Sequence, residues 1–178
     1  MVECQRCGKK PSAANLGHMG DICRGCFIVV IEHRVRKHLR QGSPLKKGQK
    51  ILLLTDNSMK SVVAECILES ITKPMPLTDV EKRHLGSDIS GFDHVFYPIS
   101  ANDIANGFLK GIFSKESVDK KKSVVGCLLD SEIKVYADLK DLKYETSEKD
   151  DFAKKMEELE GYYPGSTFGL VKTKDKLQ

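Results

Sequence analysis

The chain has 178 residues, of which 40% are hydrophobic and 30% charged, with a net charge of +4. That is enough for one ordinary domain with a real core and a small appendage, and no apolar run approaches the roughly 20 residues of a membrane span. The first ten residues, MVECQRCGKK, lack the apolar h-region of a signal peptide, so a cytoplasmic setting is expected and the six cysteines are not read as a disulfide framework. The charge is unevenly placed. Residues 1 to 50 hold 11 Lys/Arg against 3 Asp/Glu, whereas residues 51 to 178 hold 18 against 22. A basic surface at one end, facing a polyanion, is the expectation.

Four cysteines come first: Cys4, Cys7, Cys23 and Cys26, spaced C-x2-C-x15-C-x2-C. This spacing reads as a four-thiolate zinc site. Each C-x2-C puts two thiolates on one tight knuckle, and two knuckles close a tetrahedron around Zn²⁺. Gly8 and Gly25 are expected to let the knuckles turn so that amides face the sulfurs. Four thiolates leave no open coordination position, so the site is expected to be structural. An iron–sulfur cluster on the same cysteines is the alternative. His18 is a further candidate ligand, although a lone loop histidine is more often solvated. The intervening GKKPSAANLGHMGDI reads as a polar loop that needs the metal to fold. Cys66 and Cys127 lie in apolar runs and read as buried structural residues.

From Phe27 the apolar residues Phe27, Val30, Ile31, Val35 and Leu39 fall near helical spacing. Gly42 and Pro44 should end that helix. Residues 32 to 50 carry seven positive charges and one negative. Arg34, Arg36, Lys37, Arg40, Lys46, Lys47 and Lys50 are candidate contacts to an RNA backbone, positioning it without reading bases. A solvated helix face is the plain alternative.

After Lys50 the apolar run Ile51–Leu54 suits a buried parallel strand. Ser58 should cap a helix reaching about Ile71. A second strand fits His94–Ile99, followed by a helix capped by Ser100. A third fits Ser123–Leu129, followed by a helix over DSEIKVYADL. A last helix fits residues 147–163. Residues 73–91 look short and polar. Strands alternating with helices predict a parallel α/β sheet. The expected divisions are a four-cysteine module at 1–30, a basic helix and connector at 31–49, and the α/β body at 50–178.

The order of these motifs, namely paired knuckles, CF, a basic helix and strand–turn–helix, resembles the tRNA-thiolation branch of the N-type ATP pyrophosphatases. Three later segments are similar to the cytoplasmic tRNA 2-thiolation protein 2 family. They are FDHVFYPISANDIANGFLKGIF, then SVVGCLLDSEIKVYADL through Glu132, Ile133 and Tyr136, and YYPGSTFGLVKTKDKL through Pro164, Ser166, Thr167, Val171, Thr173, Asp175, Lys176 and Leu177. That resemblance implies an adenine nucleotide alpha hydrolase-like (Rossmann-like) domain. Relatives run longer, with further cysteines, so this sequence reads as a compacted version without a second metal site.

Active members of the superfamily carry S-G-G-x-D-S after the first strand, the glycines letting backbone amides approach pyrophosphate. The aligned residues here are Asp56, Asn57, Ser58, Met59, Lys60 and Ser61. Both glycines carry side chains, a carboxylate opens the loop, and lysine replaces the acidic residue that helps hold Mg²⁺. The resemblance therefore implies a catalytically inactive subunit. It would pair with a catalytic paralogue that thiolates U34 and would help bind tRNA. Sulfur would come from a thiocarboxylated ubiquitin-related modifier. An active ATP-dependent tRNA sulfurtransferase and a stand-alone zinc-ribbon nucleic-acid-binding protein are the alternatives.

Overall fold

The computed structural model describes residues 2–9, 12–16, 19–42, 44–115, 121–146 and 150–177. The N-terminal module is not a plain loop. Its two strands, β1 (Ala14–Leu16) and β2 (Gly20–Ile22), form an antiparallel pair with Asn15 opposite Asp21. Gly20 turns into β2 at φ 63°, a left-handed backbone that glycine adopts without strain, and a Cβ there would displace the end of the Gln5 side chain. Helix α1 (Arg24–Gly42) follows directly. Phe27, Ile31, Val35 and Leu39 recur every fourth residue and form its buried stripe.

Strand β3 (Lys50–Thr55) is the centre of a three-stranded parallel sheet, flanked by β4 (Asp79–His84) and β5 (His94–Phe96). Lys50 to Thr55 pair in order with Asp79 to His84, and Ile51 to Leu53 with His94 to Phe96. Helix α2 (Met59–Thr72) connects β3 to β4 and starts where expected, with the Ser58 side chain accepting from the Ser61 amide. Ile51 to Leu54 are all buried. Neighbouring strand residues point to opposite faces, so β3 is covered on both sides.

Residues 79 to 84 form a full strand where the sequence looked merely short and polar. The reason is position. β4 is an edge strand with four charged residues, held by ladder hydrogen bonds rather than by an apolar face. The reverse error occurs at Ser123–Leu129, which is not a strand. Val124, Val125, Leu128 and Leu129 are buried, but their backbone turns, with the Leu128 amide donating to Val125 O at 2.9 Å. An apolar run fixes burial, not conformation. β5 stops at Phe96, three residues earlier than expected. Pro98 has no amide for a ladder, and the Ile99 amide bonds back to Tyr97 O.

Helix α3 (Ala101–Ser114) opens with a capping box between Ser100 and Asp103, and α4 (Asp130–Leu139) coincides with the predicted DSEIKVYADL. Helix α5 (Asp151–Tyr162) is capped by Asp150; residues 147–149 of the predicted helix lie outside the described residues. Helix α6 (Ser166–Leu177) adds a sixth helix over the KTKDKL segment. Glu160 at the end of α5 accepts from the Gly165 and Thr167 amides and the Ser166 hydroxyl, which fixes the α6 N-terminus. A single core cluster joins Cys4 and Cys23 of the module, the α1 stripe, β3, α2 and α4. The N-terminal module is thus packed on the sheet domain.

Candidate functional site

Two sites stand out. The first is the cysteine cluster. The Sγ atoms of Cys4, Cys7, Cys23 and Cys26 all lie within 4.8 Å of one another, with Cys7 and Cys23 at 3.9 Å. Cys4 and Cys23 are buried and the other two half-buried. The hairpin and the first turn of α1 bring the two knuckles together, since Cys26 already belongs to the helix. Gly8 takes a left-handed φ of 61°, as expected of a knuckle. Gly25 does not, because it lies in the α1 helix and needs no special freedom.

The thiols differ in acidity. The backbone N–H of Cys23, followed by those of Cys7 and Arg6, faces the Cys4 sulfur and outweighs burial, lowering its pKa to about 6. Cys26 is pushed up to about 12 by its contact with the Cys23 sulfur, by burial, and by Cys7 and Cys4. Four thiolates therefore do not ionise side by side unaided; a cation among them is what would deprotonate the set. The donor set fits a metal. His18 lies outside the described residues. Cys66 and Cys127 are half-buried rather than buried as expected; the apolar surroundings of Cys127 still push its pKa up to about 12, which makes it an unreactive thiol.

The second site is a cleft of about 700 Å³. Asp56 and Ser58 to Lys60, after the end of β3, and Tyr97 to Ile99, after the end of β5, line it. This is the crevice beyond the carboxyl ends of parallel strands, beside the strand where the order reverses, where α/β proteins bind ligands. Asn57 has φ 58°, so this position keeps a left-handed backbone, which asparagine tolerates better than most residues. The Asp56 carboxylate accepts from the Ser58 amide at 3.1 Å. Burial raises the Asp56 pKa, but hydrogen bonds from the Ser58 side chain and amide and from Ser61 outweigh it. Its carboxyl stays below the usual carboxylate range. A fixed negative charge thus sits on the Ser58 amide.

Lys60 does not extend into the open cleft. Its Nζ lies 2.7 and 2.6 Å from the two oxygens of Asp103 in α3 and 3.4 Å from Asp130 Oδ1 in α4. Sequence reasoning missed both aspartates. Ser100-x-x-Asp103 was visible as a capping box, but nothing in the sequence said that α3 and α4 would converge on Lys60. Ser61 is buried, and its hydroxyl lies 2.9 Å from Ser58 O. Among the described lining residues, five carboxylates (Asp56, Asp103, Asp130, Glu145, Glu157) face three lysines (Lys60, Lys121, Lys134). The local balance is negative.

The seven basic residues from Arg34 to Lys50 separate by exposure. Lys37, Arg40, Lys46, Lys47 and Lys50 are exposed. Arg36 is half-buried and reaches Glu32 at 3.4 Å. Arg34 turns inward. Its Nη1 is 2.6 Å from Glu132, Nη2 contacts Met19 Sδ at 3.7 Å, and its guanidinium lies 6.0 Å from the Phe168 ring. Among the described residues no helix is long and apolar enough to cross a membrane.

No family model and no curated protein matches the chain. Among solved structures it is similar to the U34-tRNA thiolase NcsA from Methanococcus maripaludis with its 4Fe-4S cluster. The TM-score is 0.82 at 16% identity, covering 99% of this chain and 87% of the thiolase chain. At that identity the likeness establishes the fold alone. This chain has the α/β fold of that thiolase, with a parallel sheet and an N-terminal cysteine cluster able to hold a metal.

Proposed function

We propose that this protein is a non-catalytic subunit in the 2-thiolation of the tRNA wobble uridine. It would act in the cytoplasm beside a catalytic ATP-pyrophosphatase paralogue. The observation that carries this reading is the Asp56 carboxylate on the Ser58 amide. An anion of the chain's own occupies the loop where a nucleotide's pyrophosphate would bind. Lys60, in the position of an acidic Mg²⁺ ligand, is tied to Asp103 and Asp130. The fold shared with a U34-tRNA thiolase supports the pathway. The exposed Lys37, Arg40, Lys46, Lys47 and Lys50 supply the surface for tRNA backbone. The sulfur would reach the catalytic subunit from a thiocarboxylated ubiquitin-related modifier. Mass spectrometry of wobble uridines after depletion of this protein tests the role: thiolation falls, and unchanged thiolation refutes it. Co-expression with the catalytic paralogue should give a heterodimer on size exclusion.

The metal we assign to the four cysteines is Zn²⁺. With Zn–S bonds of about 2.3 Å, a tetrahedron has S–S edges of about 3.8 Å. The sulfurs here lie within 4.8 Å of one another. A 4Fe–4S cluster binds each thiolate at a different iron, which spreads the sulfurs further apart. Metal analysis and visible absorbance of purified protein decide between the two.

One observation favours an active enzyme instead, namely the cleft of about 700 Å³ at the strand ends. Titration with ATP and Mg²⁺ separates the readings. The non-catalytic reading expects no pyrophosphate release and no micromolar affinity. The thiolase-like fold over nearly the whole chain weighs against a stand-alone zinc ribbon.

A further inference from the structure

We infer that Lys60 is a tethered cation: its ammonium occupies the position of a divalent ion between Asp103 and Asp130 and makes the cleft independent of one. The inference stands on cleft geometry and holds whether or not the chain is catalytic.

Three elements meet at this ammonium. Lys60 comes from the first turn of α2, Asp103 from the first turn of α3, and Asp130 opens α4. The Lys60 side chain is 20% exposed and that of Asp130 is 8% exposed. At such burial a carboxylate needs a cation. The Asp103 carboxylate and the Asp130 backbone are held by groups other than Lys60. Asp103 Oδ2 accepts from the Ser100 amide at 2.8 Å, as part of the α3 capping box. The Asp130 amide donates to Asn102 Oδ1 at 2.9 Å, which ties α4 to α3. Oxygens of both carboxylates lie within 3.4 Å of the same ammonium, so its removal leaves two acidic groups around one vacated position. Two carboxylates and a few waters are the usual protein share of a Mg²⁺ or Mn²⁺ site. A lysine ammonium supplies one positive charge and three donors to the same oxygens, with no dependence on dissolved ions.

The test uses the full chain and MnCl2 or MgCl2 as probe. The native protein should bind no Mn²⁺ at the cleft by electron paramagnetic resonance and show no Tm response to either salt. Lys60→Met should melt lower, and Mn²⁺ should restore part of the loss. It should bind one additional Mn²⁺ per chain, roughly tenfold or more tighter than the native protein does. Adding Asp103→Asn should abolish that binding. Lys60→Arg, which keeps the charge, should remain unresponsive. If Lys60→Met binds no more Mn²⁺ than the native protein, folded or not, the inference is overturned. Mn²⁺ binding that survives Asp103→Asn overturns it equally.

Discussion

Arg34 Nη1 in α1 lies 2.6 Å from Glu132 Oε1 in α4, 98 residues further along the chain. The Glu132 side chain is fully buried, and its other oxygen accepts the Leu129 amide at 2.9 Å. This pair joins the helix that carries Cys26 to the helix that carries Asp130. It also draws Arg34 inward, leaving its side chain 28% exposed.

Arg34→Met should therefore be a stability variant. It strands a buried carboxylate, which costs about 3–5 kcal/mol. Arg34→Met/Glu132→Gln keeps the acceptor for the Leu129 amide and removes the charge, so it should recover much of the loss. Urea denaturation of the three proteins measures the difference. Equal destabilisation of single and double variants would mean that the pair is not the cause.

Loss of one metal ligand should unfold the module locally. Cys23→Ser removes a buried thiolate from the donor set. Bound metal should fall below one ion per chain, and circular dichroism should report fraying at the start of α1. Chelation of the native protein should produce the same spectral change.

His38 gives the fold an acid-sensitive point. Burial depresses its pKa, more than its contact with Ser123 O at 3.1 Å raises it. The unfolded chain thus takes up a proton before the folded one does. Stability is complete above about pH 6.5, the unfolded value, and falls as pH drops through the lower folded value. His38→Gln should flatten this dependence between pH 7 and 5. Asp56 acts in the same direction at lower pH: its depressed pKa contributes stability above the usual carboxylate value that is lost as pH falls through the folded one. Denaturation midpoints at a series of pH values read both.

RNA affinity should follow exposure. Glutamate substitutions at Lys37, Arg40, Lys46 and Lys47 should weaken tRNA binding. The salt slope should drop by about 0.7–0.9 for every phosphate that the variant no longer neutralises. Arg34→Lys should leave that slope unchanged. Filter binding across a salt series measures it.

Several features were legible from residues alone because the physics behind them is local. The C-x2-C spacing sets how close two sulfurs must come. Ser58 and Ser100 announced helix starts because a capping hydroxyl acts within three residues. The four-residue repeat from Phe27 to Leu39 marked the buried face of α1. Where an element departs from its local pattern, the cause lies elsewhere in the chain. β4 is a strand because β3 offers it a ladder, not because Asp79–His84 is apolar. Val124 to Leu129 turn because neighbouring elements bury them without needing a strand.

Residue type at short spacing was enough for the four-cysteine set, the buried stripe and the central strand. Where charges meet was settled by tertiary packing. In the sequence Arg34 reads as a backbone contact to RNA and Lys60 as the replacement for a Mg²⁺-holding acidic residue, with no ion pair predicted for either. Packing of α1, α2, α3 and α4 turned both inward, onto carboxylates 98, 43 and 70 residues further along the chain. Burial fixes those pairings, because a carboxylate withdrawn from water must be answered by a cation within reach, and the fold alone sets what is within reach.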